Sequence, residues 1–334
     1  MEFLLADREV RRRLLNSNYE MKVLFGTAHP DLGNEICRHL GVEPVTVDIR
    51  RFKDGEIFVQ IEENIRGKDV FIVQPTCSPA NENLMELLIM LDAVKRASAK
   101  RVTTVLPYYG YARQDRKDRP RVPITARLVA DLLTSAGSDR AMAIDLHAGQ
   151  IQGFFNIPFD HLNATPVFME YLGNRTFKDE LIVVSPDAGG VERANFLARC
   201  LGVRLAVADK RRLSHNVAES IQIIGEVKGK SVLILDDIID TAGTLMKAVD
   251  ALKEAGATNI MCCTSHGVFS PPALERIENN RNLDEVIVTN TISHVNRIKS
   301  SSKITVLSIA PLLAQAIKCI HNETSISSLF VIRK

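Results

Sequence analysis

The stretch Val232-Leu233-Ile234-Leu235-Asp236-Asp237-Ile238-Ile239-Asp240-Thr241-Ala242-Gly243-Thr244 decides how this chain is read. Val232 to Leu235 form a short apolar run of the kind that makes a buried strand, and it ends in two adjacent carboxylates. A small-residue turn, Asp240 to Thr244, comes next, and apolar positions at Leu245, Val249 and Leu252 then mark a helix. A strand, paired acids and a small-residue turn at a helix N-terminus can hold a phosphorylated ribose at both ends. The carboxylates accept hydrogen bonds from ribose hydroxyls, while turn N–H groups and the hydroxyls of Thr241 and Thr244 cradle the phosphate at the positive end of the helix. An ordinary strand–turn–helix with a threonine cap would account for the threonines and Gly243. It gives no reason for two like charges side by side at a strand end.

The chain has 334 residues, enough for about two domains with a large core. Its 42 Lys and Arg against 40 Asp and Glu leave a net charge of only +2. That balance calls for neither nucleic acid nor an anionic membrane, so anion binding must come from local clusters. The six cysteines show no CxxC spacing and mostly sit in apolar runs, which suits buried thiols in a reducing cytosol. No apolar run reaches membrane-spanning length, and the first twenty residues carry acids and Arg11-Arg12-Arg13 where a signal peptide would have an apolar core. The expectation is a cytoplasmic protein.

Apolar strand runs alternate with amphipathic helices throughout, the pattern of an α/β fold with a mostly parallel sheet. The pattern is also duplicated. Leu40-Gly41-Val42 to Arg51 recurs as Leu201-Gly202-Val203 to Arg212, Val70 to Val73 as Val232 to Leu235, and Asp92 to Ala99 as Asp250 to Ala257. All three recurrences keep their order at an offset of about 160 residues. The expected organisation is an extension over 1–20, one α/β domain over 21–163 and its copy over 164–334.

The copies differ where chemistry would sit. Gln74-Pro75 stands in the first where Asp236-Asp237 stands in the second, and Ile49 where the second has Lys210. The first copy instead carries three charged segments of its own. In Arg51-Phe52-Lys53-Asp54-Gly55-Glu56, Gly55 permits a tight turn, Phe52 offers a flat face to a purine, and Asp54 and Glu56 can bond its edge. The run Tyr108 to Arg121 includes Arg113, Gln114 and Asp115 with further cations, which suits a loop that closes on a polyphosphate. His147 follows a third strand end, and Asp187 follows another in Ser185-Pro186-Asp187-Ala188-Gly189-Gly190, positions where open α/β sheets bind ligands. A phosphate substrate makes a divalent metal near these two side chains chemically sensible. Lys210, Arg211 and Arg212 follow the run Val203 to Ala208 and suit neutralising a transferring phosphoryl group. GxxxxGK[ST] is missing, and so is GxGxxG after a strand, which disfavours a P-loop kinase and a dinucleotide dehydrogenase.

Taken together, the five segments Arg51–Glu56, Tyr111–Arg116, Asp145–His147, Asp209–Arg212 and Asp236–Thr244 resemble the ribose-phosphate diphosphokinases, in particular the hexameric, phosphate-activated class. The resemblance runs from about Lys22 to the C-terminus. It implies two tandem phosphoribosyltransferase-like domains and diphosphoryl transfer from Mg-ATP to the C1 hydroxyl of ribose 5-phosphate. ATP would take Phe52, Asp54, Gly55, Glu56, Arg113, Gln114, Asp115 and His147. Ribose 5-phosphate would take Arg212, Asp236, Asp237, Asp240, Thr241, Ala242, Gly243 and Thr244, with Lys210 and Arg212 as catalytic cations and Mg2+ at His147 and Asp187. Ala242 stands where many members have Gly, and its small side chain is expected to be tolerated. The tail Asn322–Phe330 resembles the part that forms the regulatory site, which implies Ser325 and Ser327 in a response to inorganic phosphate and ADP and a homohexameric assembly. Two rival readings remain at this stage: a phosphoribosyltransferase acting on a base, and a non-catalytic regulatory subunit of the synthase assembly.

Overall fold

The computed structural model describes residues 19–211, 220–293, 298 and 301–329, with the backbone alone for Lys210, Arg211, Ser220 and Ser328. The first half is built from β1 (Met21–Phe25), α1 (Pro30–Leu40), β2 (Val47–Arg51), β3 (Ile57–Ile61), β4 (Asp69–Val73), α2 (Ala80–Arg96), β5 (Arg101–Leu106), α3 (Thr125–Ala136), β6 (Arg140–Ile144) and β7 (Phe159–Leu162). The second half is α4 (Thr165–Gly173), β8 (Leu181–Ser185), α5 (Val191–Leu201), β9 (Arg204–Arg211), β10 (Ser220–Ile224), β11 (Ser231–Ile239), α6 (Gly243–Glu254), β12 (Asn259–Gly267), α7 (Ala273–Asn279), β13 (Glu285–Thr289), β14 (Ile304–Leu307) and α8 (Ala310–His321). The sequence-based boundary at 163/164 falls in the link between β7 and α4.

Among the described residues, the first half forms a parallel sheet in the order β1-β4-β5-β6-β7, and the second a sheet in the order β10-β9-β8-β11-β12-β13-β14. Setting aside β9 and β10, the two orders correspond strand for strand, so the duplication legible in the sequence is a duplication of topology. The central strands read as unbroken apolar runs because helices cover both faces of a parallel sheet; every residue of β4 is buried. The repeated Leu-Gly-Val has a local cause too. Gly41 and Gly202 end α1 and α5 in left-handed conformations, φ 70° and 69°, which a glycine adopts without a Cβ clash.

One difference between the copies follows from a proline. In the second half β9 joins the sheet beside β8, with Leu205 opposite Val183. In the first half the residue at the place of Leu205 is Pro44, which has no N–H to give to a ladder. Only Val45 N reaches Val23 O, at 2.8 Å, and β2 and β3 stand apart as a two-stranded hairpin.

The halves share one apolar cluster, running from Val23, Phe71 and Met142 to Val183, Leu233, Leu313 and Ile317. α8, from the end of the chain, is tied back to the first half: Ser308 Oγ donates to Glu35 at 2.7 Å, and Arg101 Nη2 donates to Ile320 O at 3.0 Å. Removing one of the large side chains here, as in Phe71→Ala, should cost about 3–5 kcal/mol. Cys37, Cys77, Cys262, Cys263 and Cys319 are buried. Among the described residues no helix is long and apolar enough to cross a membrane.

Candidate active site

The two carboxylates that open the sequence argument lie inside a strand. β11 and β12 each run nine residues, and their ladder continues past the apolar run, pairing Asp236 with Thr264, Ile238 with His266 and Ile239 with Gly267. Successive strand side chains point to opposite faces, so Asp236 and Asp237 have different neighbours.

Asp237 is buried and engaged through both oxygens. His147 Nδ1 lies 2.8 Å from its Oδ2, and Arg193 Nη1, from the first turn of α5, lies 3.2 Å from its Oδ1. Arg193 also donates through Nη2 to Leu146 O at 3.3 Å. Leu146 and His147 come from the end of β6, so this cluster fastens the first half to the second. The corner beneath it is equally tied. Asp145, at φ 33°, accepts from Ala164 N at 3.0 Å and from Ser265 Oγ at 2.5 Å. The wholly buried His266 lies 2.9 Å from Thr291 Oγ1 and 3.1 Å from Asp145 O, edge-on to Tyr108.

Charge separates the two acids. Burial would raise the Asp237 carboxyl, but the hydrogen bond from His147 and the charge of Arg193 hold it well below the usual range. Asp236 goes the other way, pushed up to about 7 by burial and by the neighbouring Asp237 charge. The His147 imidazole is raised by its bond to Asp237 against the opposing effect of burial.

Asp187 sits in the turn after β8, where Gly190 N donates to its Oδ1 at 2.9 Å. At the loop before α6, Arg113 of the first half pairs with Asp240 of the second, Nη1 to Oδ2 at 2.7 Å. Arg276 of α7 donates to Thr241 O at 2.9 Å, and a Cβ placed on Gly243 would come within 3.3 Å of the same guanidinium. Ala242 adopts φ 60°, a left-handed conformation. The strain at this position is therefore one of backbone, costing an alanine roughly 1–2 kcal/mol, and the size of the side chain is not what matters.

The first copy's equivalent corner is filled by its own chain. Glu86 of α2 accepts from Thr27 N at 2.6 Å, Thr27 Oγ1 at 2.7 Å and Gln74 Nε2 at 2.8 Å. Gln74 is the residue at the place of Asp236, so where the second copy keeps a carboxylate the first has an amide held by its own Glu86.

The family model described as the N-terminal domain of ribose phosphate pyrophosphokinase matches residues 21–137, and the one described as the phosphoribosyl synthetase-associated domain matches residues 212–331. The ribose-phosphate pyrophosphokinase of Wolinella succinogenes is 53% identical over 310 residues, 93% of this chain and 99% of that protein. The chain belongs to the ribose-phosphate pyrophosphokinase family. Ribose-phosphate pyrophosphokinase 2, chloroplastic, of Arabidopsis thaliana is 51% identical over 324 residues, 96% of this chain and 80% of that protein. A crystal structure of phosphoribosylpyrophosphate synthetase from Mycobacterium smegmatis matches with a TM-score of 0.86 and 45% identity, covering 91% of this chain and 99% of that one.

The family's remaining segments are placed unevenly. Gln114 accepts from Thr125 Oγ1 at 2.5 Å, and Asp115 accepts from Gln150 Nε2 at 3.0 Å, close enough to His147 to act on its charge. Phe52, Asp54, Gly55 and Glu56 form the tip of the β2–β3 hairpin. Phe52 N donates to Glu56 O at 2.9 Å, Gly55 has φ 95°, and Phe52 is 53% exposed against the edge of Phe58. No described contact joins this tip to His147 or Asp237. Lys210 lies within β9, opposite Ile221, and not after the strand as the sequence suggested, because β10 extends the ladder to Arg211. The Lys210 side chain and the whole of Arg212 lie outside the described residues. At the tail, Ser327 N donates to Ser325 Oγ at 3.2 Å.

Sequence reasoning missed Arg193, Arg276 and His266, and it gave Asp145 no role of its own. Arg193 gave one faint signal, a cation just before the apolar face Ala194, Leu197 and Ala198 of its helix. Among the described residues no three His, Cys, Asp or Glu side chains gather as a metal cage. Magnesium does not need such a cage: it keeps several waters and relies on one or two protein ligands plus substrate phosphates.

Proposed function

We propose that this chain is a ribose-phosphate diphosphokinase that moves the β,γ-diphosphoryl group of Mg-ATP to the C1 hydroxyl of ribose 5-phosphate. A bond forms from the C1 hydroxyl oxygen to Pβ, the bond from Pβ to the oxygen bridging to Pα breaks, the hydroxyl proton goes to solvent and AMP leaves. The observation that carries this reading is the direct joining of two segments of the first copy, those of Arg113 and His147, to the strand and loop of the second that carry the paired acids. His147 meets Asp237 at 2.8 Å and Arg113 meets Asp240 at 2.7 Å, in a chain about half identical to named members of the family. A phosphoribosyltransferase acting on a base has no use for that junction.

In this reading Asp236 accepts from the ribose hydroxyls, and Asp240, Thr241, Ala242, Gly243 and Thr244 close around the 5-phosphate at the start of α6. Arg113, Gln114 and Asp115 approach the ATP polyphosphate, while Lys210 and Arg212 steady the charge that grows between Pβ and the departing AMP. His147, through the Nε2 that its bond to Asp237 leaves over, and Asp187 would hold magnesium. Bound there, it would supply positive charge to the polyphosphate. Positioning and charge supply the catalysis, with no covalent intermediate.

The exposed tip Phe52–Glu56 serves the adenine of a neighbouring copy, which accounts for a purine-sized apolar face standing free of this chain's own site. The assembly is a homohexamer, activated by inorganic phosphate and inhibited by ADP. A cavity of about 530 Å³ lined in part by Arg101, Arg140, Thr324 and Ser327 lies beside the tail and supports a regulatory role there. A fully active monomer in light scattering would remove the shared site.

The reaction is tested by incubating the pure protein with Mg-ATP and ribose 5-phosphate. AMP and phosphoribosyl diphosphate in equal amounts are expected; ADP as the sole nucleotide product overturns the reading.

A further inference from the structure

We propose that Arg193 is a positioning residue that fixes His147, and that Asp237 works with it and does not bind the sugar; the inference rests on the reading of the site given above. Arg193, Asp237 and His147 close a ring of contacts with the backbone. One guanidinium arm is on Asp237 Oδ1 at 3.2 Å and the other on Leu146 O at 3.3 Å, while Asp237 Oδ2 is on His147 Nδ1 at 2.8 Å. Leu146 immediately precedes His147, so Arg193 holds the peptide group that leads into this residue directly and its ring through Asp237.

The three side chains come from different elements, α5, β11 and the turn after β6, and belong to different halves. No local preference of the sequence sets their geometry. It needs a group that reaches two acceptors in one plane, which arginine supplies with its rigid fork and lysine, a single point charge, does not. The Arg193 side chain is only 17% exposed and that of Asp237 only 9%. With both oxygens engaged, Asp237 has the role of orienting an imidazole through a carboxylate: it fixes the Nδ1–H tautomer and directs Nε2 outward. Asp236, on the opposite face of the strand, is then the acid left for the ribose. The adjacent carboxylates thus divide between two tasks.

The test uses the full chain labelled with 15N in histidine, free of metal, with the His147 signals assigned by His147→Gln. In the wild type, long-range proton–nitrogen correlation should show His147 protonated at Nδ1. Arg193→Gln, and Arg193→Lys, which keeps the charge and guards against a variant that fails to fold, should both shift the ring toward a mixture of tautomers. In kinetics, Arg193→Gln should lower kcat/KM about 10–100-fold, with Arg193→Lys between it and the wild type. In a His147→Ala background the same Arg193→Gln change should cost less than about threefold, because its route of action is already gone. An unaltered Nδ1 tautomer in both variants, or a loss that adds in full to that of His147→Ala, overturns the proposal. A wild-type chain that makes no phosphoribosyl diphosphate overturns the reading of the reaction, and the tautomer measurement then decides the role of Arg193 by itself.

Discussion

Arg113 Nη1 lies 2.7 Å from Asp240 Oδ2, an ion pair between a loop of the first copy and the loop before α6 of the second. Burial works to raise the Asp240 carboxyl, but the Ser270 hydroxyl and Arg113 bring it below its ordinary value. The Arg113 side chain is 51% exposed, so the pair adds little to stability, about 0–1 kcal/mol. Arg113→Ala should therefore melt almost with the wild type, yet lose kcat/KM for ATP on the order of 10–100-fold, as removal of a charge contact to phosphate requires. Steady-state kinetics with ATP varied, beside a thermal melt, check both halves. Wild-type kinetics would take Arg113 out of the nucleotide site.

Lys210→Ala should lower turnover far more than it raises KM for either substrate. In the repeat, Lys210 replaces Ile49 on an otherwise matching strand, so the cation distinguishes the copy that keeps Asp236 and Asp237. A preorganised charge aimed at the transition state is worth about 3–4 kcal/mol, or two to three powers of ten in turnover. Normal turnover with weakened ATP binding would make Lys210 a ground-state anchor instead.

The framework of the fold was legible because it rests on local signals. Apolar runs gave the central strands, and the recurring Leu-Gly-Val marked the duplication through two left-handed helix caps, Gly41 and Gly202. Where the sequence fell short, the cause was a partner distant in the chain. β11 runs on through both aspartates because β12 is there to pair with it, and β9 continues through Lys210 because β10 folds back on it. The site shows the same division. Asp236 to Thr244 is one contiguous motif, so its strand, turn and helix start could be read directly. The contact of His147 with Asp237 spans 90 residues, and Arg193 looks in the sequence like any surface arginine of a first helical turn.

Removing divalent metal with a chelator should abolish turnover, and His147→Ala should raise the magnesium concentration needed for half-maximal rate. The imidazole keeps Nδ1 on Asp237, so Nε2 is the nitrogen that the substitution deletes from the metal's surroundings. With Asp187 and substrate oxygens still in place, the loss should be partial, about 10–100-fold. A magnesium titration of both proteins decides the matter; coincident curves with equal maxima would separate His147 from the metal.

Asp236→Asn should stabilise the protein free of ligand and metal while abolishing its use of ribose 5-phosphate, and the stabilisation should grow with pH. The folded protein holds this carboxyl at about 7, above its ordinary value, because burial and the Asp237 charge oppose ionisation. A carboxyl with a raised folded pKa costs nothing below its unfolded pKa of about 3.9, and its cost increases until the folded group has ionised as well. Stability lost to Asp236 should thus build between about pH 4 and pH 7 and be complete at pH 8. Asparagine keeps the acceptor oxygen for Asp237 N, which lies 2.9 Å from Asp236 Oδ1, and removes the charge. Its advantage over the wild type in urea unfolding should rise by on the order of 2 kcal/mol from pH 5 to pH 8, in keeping with about 1.4 kcal/mol for each pKa unit. The opposite sign, or an advantage independent of pH, would mean that Asp236 is ionised at no cost in the empty site. The same substitution removes the anionic acceptor for ribose hydroxyls, so a variant both more stable at pH 8 and inactive is the combined outcome expected of an acid kept for its ligand.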